Sequence, residues 1–404
     1  MPANEVKALG ELAAESVDVT VMTPVEGVHQ AIAARVFRAV GPAAEPVRIV
    51  HDGMASSVYR ALRAVGAGAG SAAAAAAAAI SGPDDVRVLD RSPAGRFAQA
   101  AINAVVGDQL DERASDARIE MAIRRAGHDV PPEEAALTAA FPEPTGKLAV
   151  FVHGLGEDER AWWLRATAQD GATYGSRLRD DLGFTPVYLR YNTGLHISDN
   201  GRRLAALLEG VVANWPVPVN ELLIVGHSMG GLVTRAACHH ATGGSYRWPT
   251  TVRHVVFLGS PHLGAPLEKL VNAGAWGLGI APEARPFANV LNTRSVGIKD
   301  LRFGYVCEED WRDCDPDALL RNSRRTLPAP ERIAFHHIAA TLTERNQHPL
   351  GVLAGDLLVR FASATGRGIA TTDATVRHFG RRTHFDLLND PEVYAHMRGC
   401  VARP

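Results

Sequence analysis

The sequence predicts an α/β architecture, with a mostly parallel central sheet covered by helices on both faces. Three observations carry that reading. Short apolar runs alternate with stretches of helical spacing over roughly the last two-thirds of the chain, the pattern of strand–helix–strand units. The runs are continuously apolar, as strands buried on both faces are. The composition is that of an ordinary globular protein, 46% hydrophobic and 21% charged, with nothing that calls for a fibre or a disulfide scaffold.

The strands are expected at Leu148–Val152, Pro186–Arg190, Leu222–Val225, Val255–Leu258, Ile333–Ala339 and Ala374–Phe379. After the second, Ser198 is a candidate helix N-cap, and Leu204, Leu207, Leu208, Val211 and Val212 share one helical face. After the third, a helix is expected from about Met229. The spacing is regular except between Leu258 and Ile333, where about 70 residues stand in for one crossover. Within that stretch lie Trp276 and Trp311, and a cap or lid is expected over about 267–330.

Residues 1–115 read differently. Val25, Val28, Ile32, Val36 and Val40 recur at helical spacing, as do Val58, Leu62 and Val65, and Ala72–Ala79 is an octa-alanine run. The expectation is a helical extension packed on a catalytic domain spanning 116–404. Its amphipathic stretches could also touch a membrane surface. The longest uncharged run, Ala64–Ile80, is too short and too weakly apolar for a membrane span. Met1–Thr20 is broken by Glu5, Glu11, Glu15 and Asp18, so no secretory leader is expected. A net charge of -2 gives no global electrostatic case for nucleic acid. Four cysteines make no framework; Cys307 and Cys314 could bridge, but two free thiols are the favoured reading. The expected compartment is the cytoplasm, and the oligomeric state is left open.

The chemistry centres on Gly226-His227-Ser228-Met229-Gly230. Gly-x-Ser-x-Gly alone is a modest signal. Here it directly follows a strand and directly precedes a helical stretch, the setting in which a serine sits on a strained turn at the end of a sheet. Gly226 and Gly230 are expected where strand and helix come too close for a Cβ. Acyl transfer also needs backbone N–H groups for the oxygen that becomes anionic. Met229 would supply one, and Leu155, in the loop His153-Gly154-Leu155-Gly156, the other. His153 is read as orienting that loop, and His153, Gly154 and His227 as lining the substrate.

The acid and base should follow the serine. Asp356, in Gly355-Asp356-Leu357-Leu358-Val359, fits the acid, with Asp300, Asp315, Asp317 and Asp373 as competitors. Three histidines follow it. His378 falls inside the last strand and His396 in a terminal helix, leaving His384, in a loop, as the base. The pairs His239-His240 and His336-His337 lack metal-ligand spacing, and no phosphate-cradling loop is present. No metal and no cofactor are expected.

Taken together, Phe151–Gly156, Gly226–Gly230 and Gly259-Ser260-Pro261-His262-Leu263-Gly264-Ala265-Pro266 resemble bacterial lipases and esterases of the α/β-hydrolase superfamily. The nearest branch is the GPI-inositol-deacylase-like serine esterases, to which Tyr191-Asn192-Thr193-Gly194 and His384-Phe385-Asp386-Leu387-Leu388 are also similar. The resemblance covers roughly 118–404. It implies the α/β-hydrolase fold, a Ser228–Asp356–His384 triad and a small-molecule or lipid ester substrate, with Pro261–Pro266 as a pocket wall. One departure stands out: the acid turn reads Asp-Leu-Leu-Val where relatives commonly have Asp-Gly-Leu-Val. The residues 1–115 match no motif of that branch. A thioesterase, amidase or acyltransferase would use the same machinery, and a non-catalytic binding protein of the same fold is the remaining alternative.

Overall fold

The computed structural model describes residues 93–112, 118–242, 244–265, 294–314, 323–327, 330, 332–366 and 374–402, with scattered positions between 26 and 60. The octa-alanine run, the helical spacings from Val25 to Val65, Trp276, Asp315, Asp317, Asp373 and most of the expected lid lie outside the described residues.

The eight strands are β1 (Ala122–Arg125), β2 (His128–Val130), β3 (Lys147–Val152), β4 (Thr185–Arg190), β5 (Glu221–His227), β6 (Val252–Leu258), β7 (Ala334–Thr341) and β8 (Ala374–Gly380). They form one sheet in the order β2-β1-β4-β3-β5-β6-β7-β8. From β4 to β8 every pairing is parallel; β1 runs antiparallel to both β2 and β4. All six expected strands are present, extended by a residue or more. The β1–β2 hairpin was not foreseen. Its strands are short and Arg-rich, and its turn uses Ala126 at φ 50 beside Gly127 at φ 84, the two positive values of a tight hairpin turn. An alanine gives little sequence warning of such a turn.

Burial on both faces follows the period of two. Leu148, Val150 and Val152 of β3, with Leu222 and Ile224 of β5, join one core cluster; Ala149, Phe151, Leu223 and Val225 join the other. The first cluster is closed by helices α4 (Ile197–Asn214) and α5 (Met229–Thr242), through Leu204, Leu208, Val211, Leu232 and Val233. The second is closed by α3 (Tyr174–Leu182) and α9 (Pro391–Val401), through Leu178, Val393 and Met397. The other helices with described bounds are α1 (Pro93–Glu112), α2 (Glu134–Ala140), α6 (Val296–Asp300), α7 (Pro349–Ala354) and α8 (Phe361–Ala364).

The Ser198 cap is a correction. α4 begins at Ile197, with His196 as an N-cap that makes no side-chain capping bond. The free N–H of Ile197 instead donates to Asp300 Oδ2 at 2.9 Å, while Ser198 Oγ accepts from Trp311 Nε1 at 3.1 Å. A carboxylate from a distant segment has taken the work of a local cap.

Helix α1, from the N-terminal segment, packs on the sheet domain near its C-terminal edge. Asn192 Nδ2 donates to Gly107 O at 2.9 Å, Ser295 Oγ to Ala104 O at 2.5 Å, and Val296 N to Asp108 Oδ2 at 3.0 Å. Cys238, Cys307, Cys314 and Cys400 form no disulfide. Among the described residues no helix is long and apolar enough to cross a membrane.

Candidate active site

Parallel strands align their C-terminal ends, and loops leaving those ends converge. Val152 of β3 pairs with Gly226 of β5, and Thr341 of β7 with Gly380 of β8. The loops carrying His153–Gly156, Ser228, Asp356 and His384 therefore leave the same edge of the sheet.

Ser228 lies between β5 and α5 with φ 52, a left-handed conformation that a serine adopts only under strain. Its N–H donates to Leu258 O at 2.9 Å, and its own carbonyl accepts from Gly231 N at 3.1 Å. The flanking glycines are required by contact. A Cβ on Gly226 would stand 2.7 Å from Gly231 Cα, and one on Gly230 would stand 2.2 Å from Val152 O. The turn is therefore held against β3 on one side and its own helix on the other, and Ser228 is left half-buried at the tip.

Asp356 and His384 are brought together. His384 Nδ1 donates to Asp356 Oδ2 at 2.8 Å, and His384 N donates to Asp356 O at 3.0 Å. A carboxylate can only accept, which places the ring proton on Nδ1. Asp356 Oδ1 accepts from Leu358 N at 3.0 Å and Val359 N at 2.8 Å. Asp356 is fully buried and His384 nearly so. Burial pushes the imidazole down, but the charge and hydrogen bond of Asp356, with a smaller contribution from Glu157, raise it above its ordinary value. His384 Nε2 is buried and meets no protein partner among the described residues. A Cβ on Gly259, the residue after the Leu258 to which Ser228 bonds, would stand 3.0 Å from His384 Cε1. The ring therefore sits over the end of β6, beside the elbow.

The acid turn explains the departure from Asp-Gly-Leu-Val. Leu357 sits at φ 90, where glycine is at ease and leucine is strained. The turn keeps the geometry that glycine would allow and carries the strain locally.

The loop after β3 also meets the elbow. A Cβ on Gly154 would stand 3.0 Å from Ser228 Cβ, so this position admits no side chain. Met229 opens α5, so its N–H has no intrahelical acceptor, and among the described residues none meets Leu155 N either. His153 behaves as a loop-orienting residue. Its Nδ1 meets Gly154 O at 2.9 Å, its carbonyl accepts from Tyr191 Oη at 2.7 Å, and its ring stacks on Tyr191 at 4.4 Å. Burial holds it below its ordinary pKa. His227 is fully buried, and its Nδ1 donates to Glu157 at 3.0 Å. Both histidines lie beneath the site, with no surface to offer a substrate.

The rejected candidates occupy other places. Asp300 accepts from His196 Nδ1 at 3.0 Å, and burial raises its pKa. His378, on β8, shares a hydrogen bond at 2.8 Å with Thr341 Oγ1 on β7, and His396 lies in α9. His336 meets His254 at 3.1 Å and Thr375 at 2.8 Å, and His337 packs on Phe257 and His262. His262 Nδ1 lies 3.4 Å from Arg235 Nη1. Among the described residues no group of three His, Cys, Asp or Glu is placed to hold a metal.

Sequence reasoning missed Glu157. Its only signal was an acid three residues beyond a strand-end glycine, which in sequence looks like any solvated turn.

Comparison with known proteins follows from this geometry. A family model described as the PGAP1-like alpha/beta domain matches residues 143–314. A probable esterase, PIR7A, of Oryza sativa subsp. indica is 31% identical over 147 residues, covering 32% of this chain and 47% of that protein. The chain thus spans about half the length of the curated relatives it matches. Among solved structures, the lipase BlEst2 of Bacillus licheniformis in its propeptide form is 19% identical with a TM-score of 0.44, covering 65% of this chain and 52% of that one. A gene product of Listeria innocua is 13% identical with a TM-score of 0.39, covering 64% and 94%. Residues 143–314 are thus similar to the PGAP1-like alpha/beta domain, and they carry four strands, β3 to β6, of the eight-stranded, mostly parallel sheet.

Proposed function

We propose that this chain is a serine hydrolase that cleaves carboxylic esters through an acyl-enzyme on Ser228. The observation that carries the reading is the buried Asp356–His384 hydrogen bond at 2.8 Å, which leaves His384 Nε2 without a protein partner beside a strained serine. In the proposed reaction Nε2 takes the proton of Ser228 Oγ as that oxygen attacks the ester carbonyl. Asp356 holds the tautomer and stabilises the imidazolium. The N–H groups of Leu155 and Met229 receive the oxyanion. Collapse of the tetrahedral intermediate expels the alcohol, protonated by His384, and water then repeats the sequence to release the acid.

The substrate we assign is an uncharged, apolar ester. Its support is Phe385, 39% exposed beside the His384 ring, with Trp163 and Leu164 exposed on the segment tied to it by Asn389. The compartment we assign is the cytoplasm, in keeping with Cys238, Cys307 and Cys400 being buried and not disulfide-bonded. Hydrolysis of p-nitrophenyl esters of graded chain length, beside a thioester and an anilide, tests the reaction class. Ester turnover abolished by Ser228→Ala is the expected result; turnover that survives that substitution would sink the reading.

A further inference from the structure

Glu157 is a half-buried acid, its side chain 12% exposed, outside the Asp356–His384 pair. Its Oε2 accepts from Gly154 N at 2.6 Å and from His227 Nδ1 at 3.1 Å, with Oε1 also 3.0 Å from that nitrogen. Its backbone closes the same turn, Glu157 N donating to Gly154 O at 3.3 Å. Gly154 immediately precedes Leu155, and His227 stands two residues before Met229. One carboxylate therefore grips both loops that present the proposed oxyanion donors, one residue from Leu155 and two from Met229. Loops of this kind move on their own unless something joins them, and two donors must keep a fixed separation to act on one oxygen.

We infer that Glu157 is a positioning residue that sets the spacing of the Leu155 and Met229 N–H groups by bridging Gly154 and His227. The inference rests on the esterase reading above and adds a specific device to it. The bridge is charge-assisted and poorly solvated, which makes it stiffer than a neutral contact. Burial pushes the Glu157 carboxyl up, but the His227 charge and hydrogen bond and the Gly154 N–H bring it below the usual range. It is thus ionised where it grips the loops. The carboxylate also lies close to the reacting atoms. A Cβ on Gly154 would stand 3.0 Å from both Glu157 Oε1 and Ser228 Cβ, so the carboxylate and the serine border the same small gap. Its charge contributes to the raised pKa of His384. The groups facing that imidazole are Asp356 at Nδ1, the His227 ring at 4.8 Å, Phe385 and, at longer range, Glu157.

The test uses the full chain with Glu157→Ala and Glu157→Gln, measured for kcat, KM, thermal midpoint and the pH profile of kcat/KM. Glu157→Ala releases both loops, and kcat should fall on the order of 10²-fold, the usual effect of losing one oxyanion donor, with KM within about threefold. Glu157→Gln keeps a carbonyl for Gly154 N–H, so it should recover part of that loss. Removing the negative charge should also move the acidic limb of its profile to lower pH. If Glu157→Ala fails to fold, the Gln variant decides alone by a reduced kcat at unchanged KM together with that shift. Wild-type kcat in a folded Ala variant, or a Gln profile superimposable on wild type, would overturn the inference. An inactive wild-type protein would instead count against the esterase reading itself.

Discussion

Replacing Asp356 by asparagine separates the acid's two duties. In the native turn, Oδ1 accepts from Leu358 N and Val359 N while Oδ2 accepts from His384 Nδ1. An asparagine keeps the first duty, because its carbonyl can still take both backbone N–H groups. Its NH₂ then faces His384 and forces Nδ1 to act as the acceptor. The ring proton moves to Nε2, where it meets Ser228 with a donor instead of a base. Loss of the right tautomer is worth on the order of 10⁴ in kcat, or about 5.5 kcal/mol. Stability should fall by only about 2 kcal/mol, the net worth of one charge-assisted hydrogen bond. Asp356→Ala loses the same catalysis and also strands two buried backbone donors, adding roughly 1–3 kcal/mol for each. Ester turnover and denaturant midpoints on the two variants measure both quantities. An Asn variant retaining more than about a tenth of wild-type kcat would refute the tautomer argument, and an Ala variant as stable as Asn would refute the turn's dependence on Oδ1.

Four further outcomes are expected. The activity limb that reports on His384 should lie above the ordinary imidazole pKa, because only the neutral ring can accept the serine proton and Asp356 favours the charged form; a kcat/KM profile with its limb below that value contradicts it. The same shift has a stability counterpart. His384 adds stability that is fully present below its unfolded pKa and fades as pH rises through the raised folded value, readable in chemical denaturation across that window. His384→Ala should cost about as much activity as Ser228→Ala, while His378→Ala, which loses a bond to Thr341 on β7 and a ring contact with Phe361, should stay near wild type; the reverse ranking in turnover assays would move the base to His378. Leu357→Gly should change stability by less than about 1 kcal/mol, since relief of the φ 90 strain offsets lost packing and chain entropy. Leu357→Ile, branched at that φ, should cost about 1 kcal/mol or more, and equal thermal midpoints for the two would remove the strain argument.

The legible parts of this chain were those whose signal is local. β3, β5 and β6 announce themselves as unbroken apolar runs, and Ser228 is marked by glycines whose Cβ positions are blocked by backbone. Asp356 and His384 were readable through chain order, because loops that follow parallel strands must exit on one edge. What escaped depends on tertiary contact. α4 starts at Ile197 because Asp300, a hundred residues away, meets its N–H, and no local pattern encodes that. The β1–β2 turn rests on an alanine at φ 50, held there by the pairing of its strands. His227 was expected to face substrate; it points to Glu157 because the elbow turns Ser228 outward and its neighbour inward. Glu157 itself has meaning only once the loops after β3 and β5 lie side by side.

The most direct test is covalent trapping of the nucleophile. A fluorophosphonate probe, reacted with the wild-type protein and followed by intact mass and peptide mapping, should add once, at Ser228 in the Gly226–Gly230 segment. The adduct should be absent from Ser228→Ala and should form far more slowly in His384→Ala. A single adduct on another residue, or labelling that persists without Ser228, would contradict the assignment of this serine as the reacting group.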